Sequence, residues 1–152
     1  MHQPIILENL GHRFGAKLCF AGCHHTIYYG NKIAIIGRNG SGKSTLLQIL
    51  RGNLIPSDGN IHNDGMAIGY VPQTVTDYPT LSGGQRFNRA LSQVIANTPD
   101  IICLDEPSNH LDHKNRPSLM RMLQHYAGTL IIVTHDVELL RYCTDQIWHI
   151  ND

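Results

Sequence analysis

The sequence predicts an α/β fold in which a mainly parallel sheet is covered by helices on both faces. Short continuous apolar runs, such as residues 101–104 and 130–133, are typical of strands that are buried on both sides. Segments with apolar residues at helical spacing lie between these runs, and such alternation favours parallel pairing. Hydrophobic residues make up 41% of the chain and charged residues 16%, which is a globular composition.

The first third of the chain predicts an antiparallel β portion and then the first parallel strand. Apolar residues favour strands at residues 5–7, near residues 19–29 and at residues 33–36. The leucines and isoleucine within residues 46–50 then follow helical spacing, and Gly52 is a typical helix end. The predicted order here is therefore strand, glycine-rich loop and helix.

The remaining elements alternate between strands and helices. A turn at residues 56–59, with the sequence PSDG, leads into a short strand around Ile61. The pattern then predicts strand 66–71, helix 82–96, strand 101–104, helix 116–126, strand 130–133, helix 137–142 and strand 146–150. We expect a single compact domain over residues 1–152, because this length suffices for one buried core.

Composition and charge argue against several classes of protein. No apolar stretch approaches the ~20 residues of a membrane span, so we expect no direct membrane insertion. The N-terminus lacks the basic and apolar regions of a secretory signal, which favours a cytoplasmic protein. Twelve basic residues balance twelve acidic ones, and this balance gives no overall field that would attract nucleic acid.

The four cysteines are predicted to be free thiols in a reducing compartment. Cys19 and Cys23, followed by His24 and His25, form a C-x3-C-H-H cluster that could bind zinc. In a strand, however, neighbouring residues alternate faces, and no second pair of cysteines or histidines lies at zinc-site spacing. The structural interpretation of this cluster is therefore favoured.

Residues 37–45 predict a phosphate-binding loop between a strand and a helix. The segment fits the pattern G-x-x-x-x-G-K-[ST], in which glycines let backbone N–H groups approach phosphate oxygens. The helix that follows adds the partial positive charge of its N-terminus. Lys43 is expected to contact the β- and γ-phosphates, and Ser44 to hold Mg²⁺. The predicted phosphate-binding residues are Gly37, Asn39, Gly40, Ser41, Gly42, Lys43, Ser44 and Thr45.

Two acidic residues, Asp105 and Glu106, follow the apolar run at residues 101–104. Ligand sites of parallel sheets lie at the carboxyl ends of such strands. A strand that ends in two acids is common, and the preceding phosphate loop is what favours a functional role. Asp105 is then predicted to hold Mg²⁺, and Glu106 to be the general base that deprotonates the attacking water.

The pentapeptide LSGGQ at residues 81–85 allows two interpretations. Ser82 and Gln85 have the spacing of a capping box at the start of a helix. Alternatively, Gly83 and Gly84 leave backbone N–H groups uncovered at the positive end of that helix, which suits a phosphate. Each glycine costs ~1 kcal/mol relative to alanine within a helix, and a purely structural cap would not need two of them.

Together, GRNGSGKST, LSGGQ and ICLDE make the chain resemble the nucleotide-binding domains of ABC ATPases. The resemblance implies that Phe14 stacks on adenine, although an ordinary core or turn aromatic is the alternative. It implies that Gln73, in YVPQ, senses Mg²⁺ and the attacking water, and that His135 contacts the γ-phosphate. Residues 108–112 resemble the loop that crosses the dimer interface in this family.

The resemblance further implies a head-to-tail pair of domains, as a homodimer or as tandem domains of one chain. Each ATP would lie between the phosphate loop of one domain and the LSGGQ segment of the other. Ser82, Gly83, Gly84 and Gln85 would therefore act in trans. The expected activity is ATP hydrolysis with ATP and Mg²⁺ as cofactors, where ATP closes the pair and hydrolysis opens it.

The segment DEPSNHLD resembles the corresponding segment of ABC-F proteins, which lack membrane domains and act largely on ribosomes. A ribosome or another complex is therefore an expected partner. Members of the family place a helical subdomain between the glutamine and LSGGQ, whereas only residues 74–80 intervene here. Seven residues reach ~25 Å when extended, which is enough for a bridge but not for a helical hairpin. We expect the subdomain to be absent and turnover to be slow.

Alternatives for origin and function remain open at this point. The chain is either a naturally compact domain, as part of a longer chain or alone, or a core from which sequence was removed. A nucleotide-binding module with negligible turnover is a second functional hypothesis. An ATPase subunit of an ABC transporter is a third, and the missing subdomain argues against it.

Overall fold

The computed structural model describes residues 3–38, 42–63, 65–72, 80–107 and 113–150. In chain order these residues form β1 (Ile5–Phe14), β2 (Lys17–Ile27), β3 (Lys32–Gly37), α1 (Lys43–Leu50), β4 (Asp58–His62), β5 (Ile68–Val71), α2 (Gly83–Ala96), β6 (Ile101–Asp105), α3 (Arg116–His125), β7 (Thr129–Val133), α4 (Val137–Cys143) and β8 (Gln146–Ile150). None of these helices combines the length and the apolar character that a bilayer span requires.

The strands form two sheets. The parallel sheet has the strand order β5-β6-β7-β3-β8, and the antiparallel sheet has the order β2-β1-β4. This arrangement confirms the predicted α/β class, with a mainly parallel sheet and an antiparallel portion near the N-terminus.

Strand β1 is longer than the sequence predicts. Alternation of apolar residues indicated a strand at residues 5–7, whereas the strand continues to Phe14. Asn9 has a φ of +48°, and the pairing with β2 shifts its register between Leu7 and Leu10. Such a bulge interrupts the alternation of faces without ending the ladder, so a prediction from alternation alone stops too early.

The parallel sheet has an apolar core on each face. Helix α1 and the antiparallel sheet cover the face that carries Ile33 and Ile131. Helices α2, α3 and α4 cover the opposite face, which carries Ile102 and Leu104. Every residue of β6 and β7 is buried, which explains their continuous apolar sequences. Each fully buried Ile or Leu side chain contributes about 1.5–3 kcal/mol of transfer free energy.

The strand order brings three carboxyl ends together at one edge of the parallel sheet. Strand β3 ends at Gly37, β6 at Asp105 and β7 at Val133, and β7 lies between the other two strands. The predicted phosphate loop, the two acids and the predicted histidine therefore follow neighbouring strand ends, as expected of a ligand site in a parallel sheet.

The cysteines carry free thiols, and all except Cys23 are buried. Burial raises the pKa of the Cys23 thiol to about 11. The neighbouring His25 stacks on Trp148, with ring centroids 4.1 Å apart, so its ring contributes to packing between β2 and β8. Within the described ranges, no three His, Cys, Asp or Glu side chains are placed to share a metal ion.

Candidate functional site

The phosphate loop joins β3 to α1, and its last glycine is required by the geometry. Gly42 is the N-cap residue of α1 and has a φ of +95°, which favours glycine. A Cβ atom at this position would lie 3.0 Å from Phe20 Cδ1 and 3.3 Å from Cys19 Cβ. The predicted residues Asn39, Gly40 and Ser41 lie outside the described residues, and Thr45 lies partly buried in the first turn of α1.

Lys43 is buried at the centre of the site, with a relative exposure of 8%. Its Nζ donates to the carbonyl oxygen of Gly37 at 2.7 Å and lies 2.9 Å from Nε2 of His135. Because an ammonium group has no lone pair, His135 must accept this hydrogen bond through an unprotonated Nε2. The structure thus brings together two of the residues predicted to contact the γ-phosphate, although they are 92 positions apart.

Ser44 and Asp105 form the part of the site that suits a divalent cation. Ser44 Oγ donates to Asp105 Oδ2 at 2.9 Å. Asp105 is 5% exposed, and its Oδ1 is buried without a hydrogen-bond partner among the described residues. A hydroxyl and a carboxylate with a spare oxygen are ligands that Mg²⁺ prefers, so these residues fit the predicted ion. Burial raises the pKa of Asp105, against the opposing effects of the Ser44 hydrogen bond and of Lys43.

Glu106 has an unusual backbone conformation, with a φ of +49°. Non-glycine residues pay of the order of 1–3 kcal/mol for such a conformation, and it is often found at functional sites. The N–H of Glu106 donates to the carbonyl of Val133 at 2.7 Å, which holds the residue against the end of β7. The sequence carries no signal for this conformation, because Glu is not a residue that favours positive φ.

The side chain of Glu106 faces His135, with Oε1 3.5 Å from Nε2. When Nε2 accepts from Lys43 it has no proton to donate to Glu106, so the two atoms then approach without a hydrogen bond. Burial raises the pKa of Glu106. His135 in its protonated form and Lys43 oppose this effect, and Asp105 adds to it. A carboxylate with a raised pKa is better matched to accepting a proton near neutral pH.

Asp136 directly follows His135 and fixes the start of helix α4, a role that no predicted motif included. Its Oδ1 accepts from the N–H of Leu139 at 3.1 Å, which caps helix α4, and its other carboxylate oxygen is bonded to Arg116. Burial alone would raise the pKa of Asp136, but the Arg116 and backbone hydrogen bonds lower it overall. An aspartate directly before a helical pattern was the available sequence signal for the cap. Nothing local indicated its pairing with Arg116.

The LSGGQ segment lies at the start of α2, whereas the phosphate loop leads into α1. Ser82 is the N-cap of α2, its Oγ accepts from the Gln85 N–H at 3.2 Å, and its own N–H donates to Gln85 Oε1 at 3.0 Å. The capping-box interpretation is therefore confirmed as local structure. Gly83 and Gly84 form the first turn of the helix, and the Ser82 and Gln85 side chains are exposed.

Phe14 is the last residue of β1, and 54% of its surface is exposed. Its ring meets the ring of His12 edge to face, with centroids 4.7 Å apart. Its exposure argues against a core aromatic, whereas its place beside the β1–β2 turn leaves the alternative of a turn aromatic open. The predicted Gln73, most of the bridge at residues 74–80 and the loop at residues 108–112 lie outside the described residues.

Comparisons with known proteins match two overlapping parts of the chain to two different family models. A model described as ABC transporter matches residues 20–79, and a model described as an AAA domain of the AbiEii toxin and Type IV TA system matches residues 73–141. The ribosome protection protein VmlR of Bacillus subtilis is 30% identical over 175 residues, covering 100% of this chain and 32% of that protein. The erythromycin resistance ATP-binding protein MsrA of Staphylococcus epidermidis is 35% identical over 152 residues, covering 85% and 31%. The chain spans about a third of the length of these curated relatives.

Solved structures share the fold. The inward-facing structure of a metal-chelate type ABC transporter matches with a TM-score of 0.82 and 25% identity, over 97% of this chain and 79% of that one. The structure of cbiO1 from Clostridium perfringens, part of the transporter complex cbiONQ, matches with a TM-score of 0.84 and 23% identity, over 99% and 85%. These matches confirm the predicted P-loop NTPase fold.

Proposed function

We propose, since this chain is an ATPase domain of the ABC type with ABC-F-type relatives, that it hydrolyses Mg²⁺-bound ATP in a head-to-tail pair of such domains. Membership of the family implies ATP binding and hydrolysis in general. The observation that carries the more specific proposal is a pair of contact sets at the carboxyl edge of the sheet. Lys43 and Glu106 both contact His135, and Ser44 bonds to Asp105.

The phosphates would be bound by the loop from Gly37 to Thr45. Backbone N–H groups of the loop and the N-terminus of α1 would face the phosphate oxygens. Lys43 would exchange its present acceptors for the β- and γ-phosphates, because a doubly charged phosphate is a stronger acceptor than a carbonyl or an imidazole. Ser44 and Asp105, together with Gln73, would hold Mg²⁺, which offsets phosphate charge when bound.

Glu106 would be the general base of the reaction. The attacking water would give a proton to the Glu106 carboxylate while its oxygen adds to the γ-phosphorus and the bond to ADP breaks. The raised pKa of Glu106 makes it a better proton acceptor than an ordinary surface glutamate. His135 would orient the γ-phosphate, and its contact with Glu106 would keep base and phosphate at a fixed separation.

A second domain would complete each site. Its Ser82, Gly83, Gly84 and Gln85 would approach the γ-phosphate in trans, with the start of α2 directed at the negative charge. Exposure of the Ser82 and Gln85 side chains in a single chain supports this role. The partner would be a second copy of this chain or a tandem domain.

The wider context is proposed from the relatives. VmlR is described as a ribosome protection protein. By analogy, we propose that a protein containing this domain acts on a ribosome. We further propose that residues 74–80 bridge directly to α2 without a helical subdomain, within a single domain over residues 1–152. The alignment with VmlR extends over 175 residues, more than the 152 of this chain, which supports extra residues in that relative.

Replacement of Glu106 by Gln tests the mechanism. The variant should lose a base worth about 10²–10⁴ in turnover while ATP binding is retained. ATP and Mg²⁺ should then hold the variant as a dimer, measured by light scattering. Glu8→Gln, a matched change on β1, the central strand of the antiparallel sheet, should keep the turnover of the unchanged chain. A Glu106→Gln variant that binds ATP but stays monomeric would contradict the paired mechanism.

A binding module with negligible turnover is the second candidate function. The seven-residue bridge favours it, because the LSGGQ helix lacks the support that a helical subdomain would give. Specific activity measured against protein concentration separates the two functions. Activity that rises with concentration indicates sites completed in trans, and a flat trace at the level of Glu106→Gln indicates a binding module.

A further inference from the structure

We propose that His12, held by Ser57, is a positioning residue that fixes the ring of Phe14 as the platform for the nucleotide base. The inference rests on the proposed binding of ATP, in which Phe14 stacks on adenine. His12 and Ser57 belong to none of the motifs described above. Their contacts explain how the base platform and the phosphate loop keep a fixed relative position.

Phe14 stands at an exposed position and needs an external support. It pairs with Lys17 across the β1–β2 hairpin, whose two-residue turn begins at Gly15 with a φ of +60°. The backbone of Phe14 is therefore fixed, while its ring is 54% exposed. An exposed ring keeps rotamer freedom, and base stacking would have to remove that freedom on binding.

His12 supplies the support. It lies two residues before Phe14, and the contact between the two rings places both side chains on the same side of β1. Its ring meets the Phe14 ring at an angle of 75°, with centroids 4.7 Å apart, and this edge-to-face contact leaves the exposed side of Phe14 available for a base. Unlike its neighbours Arg13 and Phe14, His12 is buried, with a relative exposure of 6%.

Ser57 fixes the histidine in turn. The Ser57 Oγ lies 3.3 Å from His12 Nδ1 and accepts a hydrogen bond from the Arg13 N–H at 3.1 Å. Because the hydroxyl accepts from Arg13, its own proton is free to bond to Nδ1 of His12. One side chain, contributed by the segment before β4, therefore holds both the ring of His12 and the backbone next to Phe14.

Strand β2 connects this platform to the phosphate loop. His12 pairs with Phe20 in the β1–β2 ladder. Phe20 is buried, and its Cδ1 is the atom that a Cβ added at Gly42, the glycine that opens α1, would meet first. The base platform and the phosphate loop therefore both lie against β2, and the ring of His12 joins the ring of Phe14 to the position opposite Phe20.

The test compares a ligand that carries a base with one that does not. Binding of Mg²⁺-ATP and of Mg²⁺-tripolyphosphate is measured by calorimetry for His12→Ala, Ser57→Ala and Phe14→Ala. His12→Ala should weaken ATP binding by about 2- to 10-fold, as expected for loss of an aromatic edge contact, and leave tripolyphosphate binding unchanged. Ser57→Ala should give a smaller change in the same direction, and His12→Phe, which keeps the ring contact, should restore most of the ATP affinity.

The control variant lies on the same antiparallel sheet, and three outcomes would contradict the proposal. His62→Ala, on the neighbouring strand β4, should leave both affinities unchanged. If Phe14→Ala weakens ATP selectively and both His12→Ala and Ser57→Ala do not, the positioning role is overturned and base stacking stands. Equal weakening of ATP and tripolyphosphate by His12→Ala and Ser57→Ala would also overturn it, since that result indicates general loosening. If Phe14→Ala itself leaves ATP binding unchanged, base stacking is wrong and the inference falls with it.

Discussion

The two sides of the proposed ATP site are built by contacts of very different range. Around the phosphate loop, Ser44 bonds to Asp105, 61 positions away, and Lys43 bonds to His135, 92 positions away. At the LSGGQ segment, Ser82 and Gln85 bond to each other across three positions. The loop side is therefore ordered by the whole sheet, whereas the LSGGQ side is ordered by one turn of its own helix. Within a single chain, long-range contacts therefore order the phosphate-loop side, whereas only the capping box of its helix orders the LSGGQ side.

The largest effect should come from Lys43→Met, on the side that the sheet orders. Removal of a buried ammonium deletes charge-assisted hydrogen bonds to phosphate, each worth about 1.5–3 kcal/mol. ATP affinity measured by calorimetry should fall by about 10- to 100-fold. Arg141→Met, which removes an exposed cation from α4, should leave the affinity unchanged. An unchanged affinity in Lys43→Met would place the phosphates elsewhere.

Gly42→Ala should destabilise the phosphate-loop side of the site, because Gly42 has a left-handed backbone conformation. A non-glycine residue in a left-handed conformation costs about 1–2 kcal/mol, and the new Cβ would also crowd Phe20. Gly52→Ala is the matched control, because Gly52 has a φ of +80° at the other end of α1 but no atom within 4 Å of an added Cβ. Urea unfolding should show a loss in both variants, larger for Gly42→Ala. Equal losses would mean that the contact with Phe20 carries no energy.

Ser82→Ala should separate the local and the paired roles of LSGGQ. Loss of the cap should lower the free energy of unfolding by about 1 kcal/mol. ATP affinity of the dilute chain should not change, because the near side is intact, while turnover at concentrations that allow pairing should fall. Ser92→Ala, later in the same helix, is the control for helix stability. Turnover that falls no more than in Ser92→Ala would leave Ser82 with a structural role only.

The smallest effect concerns the pH dependence of stability. Burial raises the pKa of Asp105 in the folded state, so the stability that its proton contributes is present in acid and is lost as pH rises through the raised pKa. Asp105→Asn removes the buried charge and should raise the free energy of unfolding at neutral pH, measured in urea without Mg²⁺. This gain should shrink below the ordinary aspartate pKa. Asp58→Asn, at an exposed position, should change neither value, and a loss of stability in Asp105→Asn at neutral pH would contradict the assignment.

Features set by neighbouring residues could be predicted from the sequence, whereas contacts between distant residues could not. The helix after the phosphate loop, the buried run at residues 101–104 and the capping box at Ser82 are local patterns, and the structure confirms each as local structure. The bulge at Asn9 was hidden because it breaks alternation without ending the strand. The contact of Lys43 with His135 depends on which strands are neighbours in the sheet, and no local pattern specifies that order.

Two other features could not be predicted from the sequence for the same reason. The positive φ of Glu106 is held by a hydrogen bond to Val133 in another strand. The support of Phe14 by His12 depends on Ser57, which the β1–β4 pairing brings close. In each case, residues distant in the chain fix a conformation that local propensity would not choose.

The hydrogen bond from Glu106 to Val133 also bears on when hydrolysis can take place. It ties the end of β6 to the end of β7, and β7 leads directly to His135, so the backbone segments that carry the base and the histidine are joined. In the proposed pair, we therefore expect the timing of ATP cleavage to follow the arrival of the second domain.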